Sequence, residues 1–256
     1  MITVQISSID NTETILKSGY SLSIQLKKNF GIVWFLNSFE TKDQIEISIN
    51  KIIDNFELRH TKIFIIENKN ESIDIFCERV ESSFLFLQLQ NTKSKSIQNS
   101  LKQCRNLRIP YILWKTNFEK LNLDQVIVPV GFLEEEVEKA QFASAFGRFS
   151  NSSIHLLLAN DYGSKAMNNA AKMISLFDKF DFKHNQVKAK TDSFKIEFES
   201  IQFAYQVNGG IIIISASRDY GLDDLFFGPK EYHVIRKSDL PILLVNPRGD
   251  LYALCD

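Results

Sequence analysis

The sequence predicts an α/β protein that consists of two tandem three-layer domains, each with a parallel sheet. Short apolar runs alternate with longer amphipathic stretches along the chain, and this order of elements occurs twice. Strands separated by helices of about ten or more residues are joined by right-handed crossovers, which make neighbouring strands parallel. The chain has only 10 Gly and 5 Pro, and this scarcity favours regular elements with short connections.

Five short apolar runs predict the strands of the first half, at residues 2–7, 31–37, 62–67, 83–89 and 111–115. The amphipathic stretches between them predict helices at residues 10–29, 42–58, 71–80 and 97–107. In the second of these helices, Ile45, Ile49 and Ile52 recur at helical spacing and define one apolar face.

The second half repeats the pattern, with strands predicted at residues 125–130, 153–159, 186–190, 210–215 and 241–246. Helices are predicted at residues 134–149, 164–180 and 194–207, and residues 230–236 form part of a fourth. The first of these helices has glutamates in its first turn and Arg148 near its end, which is the order of charges that the helix dipole favours. Residues 186–190 are the weakest of the predicted strands.

The two halves match at nearly constant spacing, which indicates an internal duplication. We therefore predict one domain at residues 1–118 and a second at residues 124–256, joined by a short linker. Each has roughly 120 residues, an ordinary size for a three-layer domain. Ile2 corresponds to Val126, and Ile32 corresponds to Ile154.

The composition excludes several classes of partner. The net charge is −1, so the chain lacks the basic character of nucleic-acid-binding proteins, and no apolar run is long enough to cross a membrane. Its three cysteines, Cys77, Cys104 and Cys255, form no CxxC pair, and the N-terminus has no basic and apolar leader. A reduced, cytoplasmic compartment is therefore expected, with Cys77 and Cys104 as buried thiols.

Three segments of the second half resemble the universal stress protein family. VIVPVGFLEEEVEKAQFA (126–143) is similar to the family's first strand and helix, GGIIIISASRDYGLDDLFFG (209–228) to its fourth strand and glycine loop, and SDLPILLV (238–245) to its closing strand. The first half has the same order of elements with weaker motifs, so the chain resembles a tandem member with a divergent first domain. The resemblance implies that each domain is a five-stranded parallel sheet with helices on both faces.

Family members that bind ATP use two features at the carboxyl ends of the strands. An Asp after the first strand contacts the adenosine, and a G-x-x-G loop, followed after nine residues by G-[ST], holds the phosphates with N–H groups and a hydroxyl. In this sequence Gly131 stands at the Asp position. Ser215 and Arg218 stand at the first two glycines, and Pro229 replaces the Ser or Thr that should follow Gly228.

These replacements remove several of the backbone and side-chain groups that bind a phosphate in the family. A Cβ at Ser215 or Arg218 disfavours positive φ and close approach of the backbone, and Pro229 lacks both a hydroxyl and an N–H group. In the first half, Ser7 falls at the Asp position and no glycine follows the fourth strand. The resemblance therefore implies a vestigial pocket, without a cofactor, at Val130, Gly131, Ser215, Ser217, Arg218 and Gly228.

Arg218 leaves a second interpretation open. A guanidinium at the mouth of the pocket can bind a phosphate or a carboxylate, with help from Lys230, and the second domain would then be a nucleotide- or anion-binding module. Alternatively, Arg218 pairs with an acid of its own loop and fills the pocket as part of a structural loop. The candidate acids are Asp219, Asp223 and Asp224.

The sequence shows no catalytic or metal-binding constellation. The four histidines, His60, His155, His184 and His233, have no ligand spacing, and we expect His155 to be a structural residue within a strand. No third ligand accompanies Asp223 and Asp224 at a metal-binding spacing, and Lys93 and Lys95 are expected to be solvated. We therefore predict a non-enzymatic, stress-linked regulatory protein that acts through a protein partner.

The closing strands of the two halves are short and apolar, and an open sheet edge of this kind needs to be covered. In the family, single-domain members commonly pair their closing strands about a twofold axis. We therefore predict an intramolecular pseudo-dimer in which residues 111–115 lie against residues 241–246, with Trp114 buried at that seam. Pro241 can begin such a strand, because a missing N–H group does little harm there.

Overall fold

The computed structural model describes residues 1–67, 70–217 and 228–248. The chain divides into two compact units, Met1–Lys120 and Leu121–Asp256. Within the described residues, no helix is both long enough and apolar enough to span a membrane.

The first unit contains a sheet of five parallel strands. β1 lies at its centre between β2 and β4, so the order of the strands is β3-β2-β1-β4-β5. The central strands are nearly continuous apolar runs, which is typical of strands that are covered on both faces. The strands are β1 (Ile2–Gln5), β2 (Phe30–Phe35), β3 (Lys62–Ile66), β4 (Phe84–Gln88) and β5 (Tyr111–Trp114). The helices are α1 (Glu13–Gln25), α2 (Lys42–Phe56), α3 (Ile73–Arg79) and α4 (Ser94–Cys104).

Both tryptophans of the chain lie in the core of this first unit. Trp34 in β2 is buried, and its Nε1 donates to Glu40 Oε2 at 3.0 Å. Trp114 in β5 is also buried, and its Nε1 donates to Thr14 Oγ1 at 3.2 Å. The Trp114 ring contacts the rings of Phe86 and Phe118. Because these partners all belong to the first unit, the burial of Trp114 does not test the seam, and pairing of the two closing strands stays a prediction.

The second unit has the same topology as the first. Its parallel sheet has the order β10-β9-β6-β7-β8, which again places the first strand of the unit between its second and fourth. The strands are β6 (Gln125–Val130), β7 (Ser153–Leu158), β8 (His184–Lys188), β9 (Ile211–Ser215) and β10 (Ile242–Val245). A 3₁₀ helix (Glu134–Glu138) leads into α5 (Lys139–Ser150). The other helices are α6 (Lys165–Lys179), α7 (Ile196–Gln206) and α8 (Lys230–Lys237).

The predicted α/β fold with two five-stranded parallel sheets is confirmed, but several elements differ from their predicted bounds. The largest difference is in α1, which spans Glu13–Gln25 rather than residues 10–29. α4 begins at Ser94 rather than at residue 97, because a polar first turn precedes the apolar residues that define its periodicity. The helix predicted at 134–149 begins as a 3₁₀ helix and is α-helical only from Lys139. β8 lies two residues before its predicted position, because it is a largely exposed edge strand without a clear apolar pattern.

Candidate functional site: the carboxyl edge of the second sheet

A cavity of about 380 Å³ lies at the carboxyl ends of β6 and β9 in the second unit. In open α/β sheets this is where ligands bind, outside the carboxyl ends of the strands. Three of the residues that the sequence assigns to the pocket, Gly131, Ser215 and Ser217, line the cavity together with Lys230. Val130 ends β6 directly before it. Arg218 lies outside the described residues, as do Asp219, Asp223 and Asp224.

The position at which the resemblance expects Asp is closed by a serine from another loop. A Cβ on Gly131 would lie 2.8 Å from Ser193 Oγ. This hydroxyl accepts a hydrogen bond from Phe132 N at 2.9 Å and donates to the Asp161 carboxylate, and Asp161 Oδ1 also accepts from Ser193 N at 2.9 Å. A larger side chain at Gly131 would therefore have to displace a serine that is held by three hydrogen bonds.

The helix start that should hold phosphate carries a carboxylate of the protein itself. Gly228 has a positive φ of 81°, as a left-handed turn requires,, and Pro229 follows as the N-cap of α8. Glu231 lies in the first turn of α8, is fully buried, and accepts a hydrogen bond from Ser217 Oγ at 2.8 Å. Negative charge is favoured at a helix N-terminus, so Glu231 takes the electrostatic place that a bound phosphate would occupy.

Lys230, which lines the cavity, and Lys139, which contacts the lining residue Glu136, are both already paired. Lys230 Nζ lies 2.9 Å from Glu197 Oε1, and the buried Lys139 ammonium contacts the Glu136 carboxylate and donates to the Pro129 carbonyl. Burial raises the pKa of Glu197, although Lys230 opposes this shift. Burial alone would lower the pKa of Lys230, but the carboxylates of Glu197 and Glu136 outweigh it and raise that pKa.

These pairs leave the described wall of the cavity with more acids than bases. Among the described residues that line the cavity, the carboxylates are those of Glu135, Glu136 and Glu197, and the one ammonium group is that of Lys230. A polyphosphate entering this space would meet excess negative charge and a base that is already engaged. The described part of the pocket therefore disfavours an anionic ligand.

Exposed apolar side chains lie at the same edge of the sheet as the cavity, and two of them, Leu133 and Phe194, line it. They follow three neighbouring strands: Leu133 comes after β6, Tyr162 after β7 and Phe194 after β8. The bonds of Ser193 to Phe132 and Asp161 hold these three loops together, and the rings of Phe132 and Phe194 are 5.7 Å apart. We call Phe132, Leu133, Tyr162 and Phe194 the aromatic edge. Exposed apolar residues that gather at one edge of a domain in this way mark interaction surfaces.

The other candidate residues have structural roles. His155 is nearly buried, bonds Gln125 Oε1 through Nε2 and packs against the Phe203 ring, and burial lowers its pKa. Burial raises the pKa of the Cys77 thiol to about 12 and also raises that of Cys104, so both are poor nucleophiles at neutral pH,. No group of three or more His, Cys, Asp or Glu within the described residues is arranged to hold a metal.

Sequence reasoning missed the residues that close the pocket. Ser193 and Asp161 carry no periodic or motif signal, and they meet Gly131 only because β6, β7 and β8 are neighbours in the sheet. A signal for Glu231 did exist, since an acid directly after Gly-Pro-Lys at a predicted helix start is placed to interact with the helix dipole. Glu197, in the first turn of α7, has a similar position.

Comparison with known proteins identifies the fold. No protein-family model matches the chain, and no curated protein matches its sequence significantly. A universal stress protein from Archaeoglobus fulgidus DSM 4304 is 13% identical, with a TM-score of 0.67 and 97% of each chain covered. A putative universal stress protein from Pseudomonas aeruginosa UCBPP-PA14 is 9% identical, with a TM-score of 0.60 over 99% of this chain and 94% of that chain. The chain therefore has the universal stress protein fold over nearly its whole length.

Proposed function

We propose that this chain is a cytoplasmic, non-enzymatic regulatory protein of a stress response, which acts through a protein partner and binds no ATP in its second unit. The universal stress protein fold supports the link to a stress response. The aromatic edge supports a partner protein, because exposed aromatic side chains supply much of the binding energy in protein interfaces.

One observation carries the proposal that ATP is not bound. The buried Glu231 carboxylate lies in the first turn of α8 and already accepts the Ser217 hydroxyl. A phosphate at this helix start would have to approach that carboxylate in a site of low dielectric, where repulsion between like charges is strong. Ser193 adds a steric barrier at Gly131, where the resemblance places the adenosine contact.

The size of the expected loss decides whether residual binding would be measurable. Each hydrogen bond to a charged group contributes roughly 1.5–3 kcal/mol. Two or three such losses amount to about 4–8 kcal/mol, without strict additivity. This corresponds to a factor of about 10³ to 10⁶ in affinity, which takes a micromolar site out of the physiological range.

We expect isothermal titration of the full chain with Mg-ATP, AMP and cyclic AMP to give no dissociation constant below about 100 μM, an affinity of roughly −5.5 kcal/mol. Thermal unfolding with the same ligands should show no rise in melting temperature, because only a ligand that binds the folded state stabilises it. Tighter ATP binding would contradict the proposal. If such binding were lost in Arg218→Ala, the second unit would instead be the anion-binding module that Arg218 allows.

A further inference from the structure

A second and larger cavity, of about 490 Å³, lies in the first unit at the carboxyl ends of β1 and β4. Its volume is within the range of small-molecule sites. Gln5 ends β1, and Ser7 follows two residues later. Gln88, the last residue of β4, is buried and fixes the loop after β1, because its Oε1 accepts from Ser7 N at 2.9 Å and from Ser8 N at 3.0 Å. The floor of the cavity is therefore ordered.

Two buried polar atoms on the cavity wall lack partners among the described residues. Gln5 Oε1 and Ser7 Oγ are buried atoms with no hydrogen bond among the described residues. Ser100, which lines the cavity from α4, is only 8% exposed. Buried polar atoms are nearly always paired, so two unpaired atoms in one cavity, with the Ser100 hydroxyl group nearby, indicate a ligand that brings hydroxyl groups.

The start of α4 gives the cavity a part that is suited to an anion. Lys93 and Lys95 both line the cavity at the start of α4. Lys93 is the N-cap and its side chain makes no capping bond, while Asn91 Oδ1 shapes the turn by accepting Lys93 N at 3.0 Å. No carboxylate occurs among the described residues that line the cavity. Two lysines at the positive end of a helix form a favourable place for a phosphate.

The rest of the lining decides between a nucleotide and a smaller ligand. Leu87 is the one apolar residue among the described residues that line the cavity, which otherwise carry amide, hydroxyl and ammonium groups. A nucleobase needs apolar or aromatic surface against its faces, and this cavity offers very little. From the lysines, the unpartnered hydroxyl and amide groups, and this polar lining, we propose that the first unit binds a phosphorylated sugar or polyol, without any glycine loop.

The phosphate and the hydroxyl groups of the ligand can be tested separately on the full chain. Ribose 5-phosphate is the probe, with inorganic phosphate, ribose and AMP as comparisons, in isothermal titration at low salt. Lys93→Gln combined with Lys95→Gln removes the expected phosphate contacts on the protein surface. Lys102→Gln is the matched control, because Lys102 is an exposed lysine of the last turn of the same helix and lies outside the cavity lining.

We expect ribose 5-phosphate to bind with a dissociation constant below about 1 mM, and binding to weaken about tenfold or more in the double lysine variant while Lys102→Gln stays like wild type. Alanine favours a helix, so Ser100→Ala should leave α4 intact. This substitution should weaken the binding of ribose 5-phosphate but leave the affinity for inorganic phosphate unchanged. Backbone amide NMR shifts on titration should involve Ser96 and Asn99, which line the cavity.

The proposal would be overturned if ribose 5-phosphate did not bind up to about 10 mM. It would also be overturned if Lys102→Gln lost as much affinity for ribose 5-phosphate as the double lysine variant. A third contradicting result would be that AMP binds more tightly than ribose 5-phosphate and that the double lysine variant abolishes this binding. This inference does not depend on the proposed function. ATP binding that survives the double lysine variant would contradict the function proposed for the second unit and leave the site in the first unit unaffected.

Discussion

Lys139→Met is expected to lower the free energy of unfolding of the second unit by about 3–5 kcal/mol. The Lys139 side chain is completely buried, and its ammonium bonds the Glu136 carboxylate and the Pro129 carbonyl. The substitution keeps most of the buried volume but leaves Glu136 as a buried charge without its cation. The cost of an uncompensated buried charge exceeds what the ion pair itself contributes to stability.

Urea unfolding followed by far-UV circular dichroism measures this loss. Lys17→Met is the matched control, because Lys17 forms an exposed pair with Glu13 at 2.5 Å, and loss of an exposed pair costs about 1 kcal/mol or less. Adding Glu136→Gln to Lys139→Met should recover more than half of the lost stability, since no unpaired charge then remains. Equal losses in Lys139→Met and Lys17→Met would show that burial does not determine the strength of this pair.

Gly210→Ala is expected to destabilise the second unit by about 3 kcal/mol or more, beyond the usual cost of overpacking. A Cβ at Gly210 would lie 2.1 Å from the Asn122 carbonyl oxygen and 2.7 Å from its carbonyl carbon. Both are backbone atoms, so no rotation of a side chain can relieve the clash. Gly210 N also donates to Gln125 O at 3.0 Å, at the start of β6, so a shift of the backbone would disturb the centre of the sheet.

The same urea measurement checks this expectation, with Gly163→Ala as the comparison. Gly163 has a φ of 104°, and a Cβ there would meet no atom within 4 Å. Gly163→Ala should therefore lower the free energy of unfolding only through backbone strain, by about 1–2 kcal/mol. If Gly210→Ala were no more destabilising than Gly163→Ala, the backbone of residue 122 would not approach residue 210 closely enough to clash with a Cβ atom.

Burial determines how well the sequence predicts each strand. β6 and β9 are continuous apolar runs in the middle of the second sheet, and their predicted bounds agree with the structure to within one residue. β8 is a polar edge strand whose side chains are largely exposed, so its sequence carries little information about register. The same reasoning applies to α4. Its first turn is polar, so the spacing of apolar residues does not indicate where the helix begins.

For the candidate site, the sequence predicts which backbone positions meet but not what fills the space between them. Gly131, Ser215 and Ser217 come together because β6 and β9 are adjacent parallel strands. Ser193 reaches Gly131 from a loop far along the chain, and Glu231 reaches Ser217 across the segment 218–227. Such partners depend on rotamers and loop paths, which leave no periodic signal in a single sequence.

The position of the two tryptophans makes intrinsic fluorescence a specific probe of the first unit. Trp34 and Trp114 are the only tryptophans in the sequence, and both lie in the core of the first unit. Intrinsic emission excited at the red edge of the indole band therefore reports on that unit alone, whereas circular dichroism averages over both. Superimposable denaturation curves from the two signals would mean that the two units unfold in one cooperative transition. Separated curves would assign each unfolding transition to its unit without any added label.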